Sequence, residues 1–139
     1  MAVLYATEAI AFGKGRDGHI QIPDLGMDFP LATPKDMGGS GAGTNPEQLF
    51  AAGLAACFHA AMAVVCNEEG IDPGDSFVGA GCTLNNEGDN YWFSAEVEVV
   101  IPGLDYENAH YLMEATKKKC PFVKAIEGNM ELNITLVDG

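Results

Sequence analysis

Positive charge is what this chain has least of: one arginine, Arg16, and six lysines stand against twenty Asp and Glu, a formal net charge of −13. Such a surface repels phosphate backbones, so nucleic acid and anionic membrane are poor partners. The amino terminus, Met1-Ala-Val-Leu-Tyr-Ala-Thr-Glu8, has neither the basic leader nor the continuous apolar stretch of a signal peptide, which points to the cytoplasm. No long apolar run is free of interruption. The best, Leu49 to Val65, contains Gly53, Cys57 and His59 and is rich in alanine, and is expected to be a packed soluble helix, with no membrane span. Four cysteines, Cys57, Cys66, Cys82 and Cys120, are spaced 9, 16 and 38 residues apart, without the paired short spacers of a zinc module. In a reducing compartment they are thiols, and any disulfide among them is more readily catalytic than architectural. The three histidines sit in no metal-ligand pattern, and neither repeats, linkers nor low-complexity stretches occur.

What is present fits one domain spanning 1–139 with a real hydrophobic core: 47% of residues are apolar and only 19% charged. So little charge also hints that a second subunit covers part of the surface. Residues 2–12 read as a first strand. A glycine-rich turn over 13–18 carries Arg16 and leads to a second strand at 19–22. An extended piece around 27–31 and a glycine-rich loop over 34–44 follow. Asn45 as cap, Pro46 in the first helical position and Gln48 three residues past the cap begin a helix that should end near Glu69-Gly70. Its many alanines let neighbouring backbone approach closely. Alternation predicts a hairpin of strands 77–84 and 92–101 around a turn at 85–90. Asp105 caps a second helix reaching about Lys119, where Pro121 prevents simple continuation. Met130, Leu132, Ile134 and Leu136 alternate with polar residues in a last strand. The order β-β-α-β-β-α-β implies an α+β fold with antiparallel strands around a central helix.

Among candidate reactive groups, Cys57 lies in mid-helix and reads either as a small buried hydrophobe or as a reactive thiol. Cys66 and Cys82 suit inert packing. Cys120, at a helix end before Pro121-Phe122 and after three lysines, has the freedom a resolving thiol needs. Arg16, between Gly15 and Asp17-Gly18, is either an exposed turn residue or a guanidinium aimed at a thiolate and held by a carboxylate. Glu47, in the first turn of the long helix, is the nearest such carboxylate or simply a favourable partner of the helix dipole. Ten helical residues separate it from Cys57, about 15 Å of rise. If both line one site, the helix bends or the other subunit donates Glu47, and the second is preferred. His59 projects about 200° away from Cys57 around the helix and belongs to packing. The loop over 38–43 has no Walker-type ending and so is no phosphate cradle.

The segment Gly38-Gly-Ser-Gly-Ala-Gly-Thr-Asn-Pro-Glu-Gln-Leu-Phe-Ala-Ala-Gly-Leu-Ala-Ala-Cys-Phe-His59 resembles the Ohr/OsmC family, in its organic hydroperoxide resistance branch. Gly15-Arg-Asp-Gly-His19 and Cys120-Pro-Phe-Val-Lys-Ala-Ile-Glu-Gly-Asn129 extend the similarity over essentially the whole chain. The resemblance implies an OsmC-like fold in an intertwined homodimer with active sites at the subunit interface. It implies a peroxidatic Cys57, a resolving Cys120, and an activating network of Arg16 and Glu47. Organic hydroperoxides, lipid-derived ones included, would be substrates. No cofactor would be bound; a dihydrolipoamide-type dithiol on lipoylated proteins would be the external reductant. Phe50, Phe58, Met62 and Phe122 are candidates for an apolar, substrate-binding mouth. The other readings are a cysteine-based redox sensor and an OsmC-type peroxidase of different substrate preference. Family members commonly carry Tyr-Ser after the Cys-Pro pair, where this chain has Phe122-Val123.

Overall fold

A computed structural model describes residues 1–138, and the helical start signal at Pro46 falls at a structural boundary: the chain divides there into two compact units, 1–46 and 47 onward. The first unit is a three-stranded antiparallel sheet, β1 (Ile10–Phe12), β2 (His19–Ile22) and β3 (Met27–Pro30), in that order. The first strand is much shorter than the expected 2–12, and residues 1–9 are exposed without regular structure. A strand extends only as far as it finds a partner, and β2 offers four residues, pairing Ile10–Phe12 with His19–Gln21. The extended piece after Gly26 is a full strand, in register with β2 from His19↔Pro30 to Ile22↔Met27.

Between β1 and β2 the chain makes a 3-10 turn, Gly15–Asp17, that carries Arg16. The turn is tied to the loop after β3. The Asp17 carboxylate accepts from the Thr33 backbone N–H at 3.0 Å and from its hydroxyl at 3.1 Å, and the Leu31 N–H donates to the Gly18 carbonyl at 2.8 Å. Gly18 is required by close approach, since a Cβ there would lie 2.3 Å from the Phe12 carbonyl oxygen. In the glycine-rich loop the N–H groups of Gly38, Gly39 and Gly41 donate to carbonyls of residues 33–35. Those donors are therefore spent on folding the loop.

The second unit begins with α1 (Pro46–Glu68), one uninterrupted helix. By length and hydropathy alone it could cross a membrane, yet Leu54, Phe58, Met62, Val65 and Cys66 are packed into a shared core. That core is completed by Val97 and Val99 of β5, Leu112 and Met113 of α2, and Val123 and Ile126 of α3. Burial of each such large side chain contributes about 1.5–3 kcal/mol. The sheet runs β4 (Phe77–Glu87), β5 (Asn90–Val100), β6 (Leu132–Leu136) in space.

The β4–β5 hairpin is longer than its turn-rich sequence suggests. Pairing continues to Glu87↔Asn90 and leaves only Gly88-Asp89 as the loop. Gly88 has φ +61° at the first loop position, where a type II′ connection calls for glycine. Cross-strand pairing thus overrides the weak strand preference of Asn85 and Asn86.

Capped by the Asp105 carboxylate accepting from the Asn108 N–H at 3.4 Å, α2 (Tyr106–Lys119) ends where expected. Pro121 does not simply stop the helix, however. It occupies the first position of a further short helix, α3 (Pro121–Ile126), with Cys120 at the corner between the two. The crossover through α2 and α3 returns β6 alongside β5 in parallel, Ala95↔Leu132 to Val99↔Leu136, the one parallel strand pair among the described residues of an otherwise antiparallel α+β fold.

Candidate active site

Cys57 sits midway along α1, half-buried, and Cys120 is fully buried at the α2–α3 corner. The two residues are 63 apart in sequence, and their sulfurs are 3.6 Å apart, with the Cys120 thiol donating to Cys57 Sγ. Both are free thiols. A thiol opposed to another at this separation needs only a small approach to form a bond between the sulfurs.

Phe50 and Phe122, like Cys57, pack against the core that includes Cys120. Phe50, seven residues before Cys57 and on the same helical face, meets the Phe122 ring edge-on, with centroids 5.8 Å apart at 75°. Phe93 of β5 lies against the other side of Phe50, also at 5.8 Å. Phe50 and Phe122 are half-buried. Phe58 and Met62 are a correction: both are wholly buried in the core. At about 100° per residue they project about 100° and 140° away from Cys57 around the helix, so they support α1 from behind and line no mouth. Two residues without a sequence signal join the site, Phe93 and Gly53. Gly53 lies one turn before Cys57, directly against Phe122.

Arg16 stands half-buried in the 3-10 turn of the first unit, and Glu47 half-buried in the first turn of α1. α1 is continuous from Pro46 to Glu68, so the rise from Glu47 to Cys57 is about 15 Å. Within its own chain the Glu47 charge acts on Cys82 of β4: burial pushes that thiol up, and the carboxylate adds to the shift. His59 is a packing residue as expected, its Nε2 3.2 Å from the Ser76 hydroxyl. Among the described residues no three His, Cys, Asp or Glu side chains converge as a metal site. A groove of about 630 Å³ beside Lys117, Lys118, Lys124 and Met130 contains neither thiol of the pair.

Burial likewise raises Cys66, with Asp72 adding to the effect, and raises Cys120, where donation to Cys57 reinforces it. A thiol whose folded value is raised contributes stability that is present below the ordinary thiol range. That stability is lost as pH climbs through the raised value, because only the unfolded chain readily ionises. The urea midpoint of the reduced protein should therefore fall between about pH 7.5 and pH 10, and Cys66→Ala should flatten the fall. A midpoint constant over that range in the parent would contradict the buried, neutral thiols.

Comparison with known proteins agrees with this architecture. The family model described as OsmC-like protein matches residues 38–135. The organic hydroperoxide resistance protein of Xanthomonas axonopodis pv. citri is 36% identical over 136 residues, covering 96% of this chain and 95% of that one. The organic hydroperoxide resistance protein OhrB of Bacillus subtilis is 37% identical, with 96% and 98% covered. In three dimensions, an organic hydroperoxide resistance protein from Legionella pneumophila superposes with a TM-score of 0.90 at 35% identity, over 97% of this chain and 98% of that one. On sequence and fold together, the chain belongs to the OsmC-like family and, within it, to the organic hydroperoxide resistance branch.

Proposed function

We propose that the protein protects against organic hydroperoxides as a thiol peroxidase. The observation that carries this reading is the 3.6 Å approach of two free thiols, one half-open and one buried. The Cys57 thiolate attacks the terminal oxygen of ROOH, the O–O bond breaks, and the alkoxide leaves as alcohol after taking a proton. Sulfur is oxidised by two electrons to a sulfenic acid, and the peroxide is reduced by the same two. The Cys120 sulfur then attacks Cys57 and a disulfide forms. The sulfenic oxygen departs as water with the Cys120 proton. An external dithiol, of the dihydrolipoamide kind carried by lipoylated proteins, restores both thiols by exchange and is itself oxidised to a disulfide. Phe50 and Phe122 favour an alkyl group over hydrogen peroxide through burial worth about 0.8 kcal/mol per CH₂.

The working form is a homodimer, and the outward face of α1 supports this. Leu49, Ala52, Ala56, Ala60 and Val64 form an exposed apolar stripe along a helix that is otherwise packed into a core. A second copy of that helix can approach closely over the alanines. Free thiols suit a reducing compartment such as the cytoplasm.

Arg16, held by its Asp17-anchored turn, stabilises the thiolate with a guanidinium fork oriented by Glu47. Arg16→Lys keeps the charge and removes the fork, so single-turnover oxidation of Cys57 by cumene hydroperoxide should slow by about tenfold or more. Stopped-flow measurement on the folded variant checks this, and an unchanged rate removes Arg16 from the network. The peroxidase reading itself is tested by steady consumption of cumene hydroperoxide with dihydrolipoamide. Stoichiometric thiol oxidation without turnover would mark a sensor instead.

A further inference from the structure

Gly53 has no turn to make, since it lies inside the uninterrupted helix α1, where alanine is the better residue. Its surroundings explain it. A Cβ built there would fall 2.9 Å from Phe122 Cζ and 3.4 Å from Cε2, closer than carbon atoms pack. Phe50, which stands against the ring edge-on and packs in turn on Phe93, limits the directions in which the ring can give way. Phe122 in turn is two residues from Cys120, and Pro121 between them fixes φ at the start of α3. A push on the ring therefore has a short, stiff path to the Cys120 sulfur. Gly53 itself precedes Cys57 by one helical turn and shares its face.

We propose that Gly53 is a positioning residue for the thiol pair: the missing side chain leaves a seat for the Phe122 ring on α1, so that the ring does not push Cys120 Sγ out of reach of Cys57 Sγ. The seat determines how fast the two sulfurs join, whatever removes their electrons. Cys120 acts as the resolving thiol only if the peroxidase reading holds, and the inference rests on that reading for its role in turnover. Its geometric content is separate.

The test uses the reduced full-length protein and two oxidants. Diamide takes two electrons and two protons from a neighbouring dithiol, becoming the hydrazine as the disulfide forms, and needs no peroxide chemistry. Gly53→Ala should slow diamide-driven closure of the Cys57–Cys120 bond by about tenfold or more, as displacement by a fraction of an ångström to 1 Å does to aligned reacting groups. With cumene hydroperoxide the same variant should leave more Cys57 trapped as its dimedone adduct and less as disulfide. Gly53→Ala/Phe122→Leu, which removes the clashing ring edge, should restore diamide closure to within about threefold of the parent.

A purely structural glycine predicts a different pattern, with a melting temperature that falls and closure that does not change. Parental diamide kinetics in folded Gly53→Ala overturn the inference, as does failure of the double variant, folded by circular dichroism, to recover. Slowed closure with diamide in a protein whose parent ignores hydroperoxide would leave the seat standing and remove the peroxidase reading alone.

Discussion

Cys57→Ser is expected to abolish organic hydroperoxide turnover, by about three orders of magnitude or more, in a protein that still folds. Serine nearly matches the thiol in shape, and Cys57 is only half-buried, so the core of Leu54, Phe58 and Met62 behind it is undisturbed. A hydroxyl, however, is not ionised near neutral pH and cannot take up an oxygen atom and release it again. Cys120 has no means of substituting: it is fully buried and burial holds its thiol neutral. Cys66→Ala and Cys82→Ala should leave turnover close to that of the parent, because burial raises both thiols and neither is joined to the pair. The measurement is peroxide consumption with dihydrolipoamide, accompanied by mass spectrometry of the oxidised protein. Retained turnover in Cys57→Ser, or loss of the peroxide-dependent disulfide in Cys66→Ala or Cys82→Ala, would show that the wrong sulfurs have been assigned.

Mixing two inactive proteins should produce an active one. Glu47 lies in the first turn of the continuous helix that carries Cys57 near its middle, about 15 Å further on, whereas orienting a guanidinium against a thiolate requires hydrogen-bond distances. In the homodimer proposed above, two antiparallel copies of α1 brought together over the alanine stripe would place the start of each beside the middle of the other. When Glu47→Ala and Cys57→Ser subunits exchange, one site of each heterodimer carries both defects and the other carries neither. At equal amounts and random pairing half of the dimers are mixed and half of their sites are intact, so activity should recover to about one quarter of the parent. Glu47 acting within its own chain puts one defect in every heterodimer site and gives no recovery. Verified heterodimers without activity would therefore defeat the cross-subunit arrangement.

The parts of this molecule that were legible in the sequence are those written in neighbouring residues. Pro46 opens α1, Asp105 caps α2, and the alternation of Leu132, Ile134 and Leu136 marks β6, each by a local physical preference. Errors arise where a distant partner decides. Residues 2–9 have strand-like composition but find no paired neighbour. Asn85 to Glu87 look like turn residues and are held in β4 by Trp92, Tyr91 and Asn90 across the hairpin. Pro121 was legible as an end and proved to be also a beginning, because a residue without an N–H suits the first position of a helix as well as it spoils the interior. In the candidate site, family motifs point to Cys57 and Cys120, whereas the apolar character of Phe58 and Met62 and their nearness in sequence say nothing of the helical angle that turns both into the core. The fit of Gly53 to Phe122 joins residues from α1 and α3 and leaves no local trace.

The long separation between the paired thiols has a thermodynamic side. A covalent link between residues 63 apart would close a large loop in the unfolded chain and remove conformational freedom worth about 4 kcal/mol in the chain-entropy account. That is a substantial share of the 5–15 kcal/mol by which a domain of ordinary size is stable. Each catalytic cycle would thus alternate between a looser dithiol protein and a tighter disulfide one. A reductant reopening such a bond would return conformational entropy to the unfolded state, so the chain would be most exposed to unfolding when poised to react and best protected once it had done so.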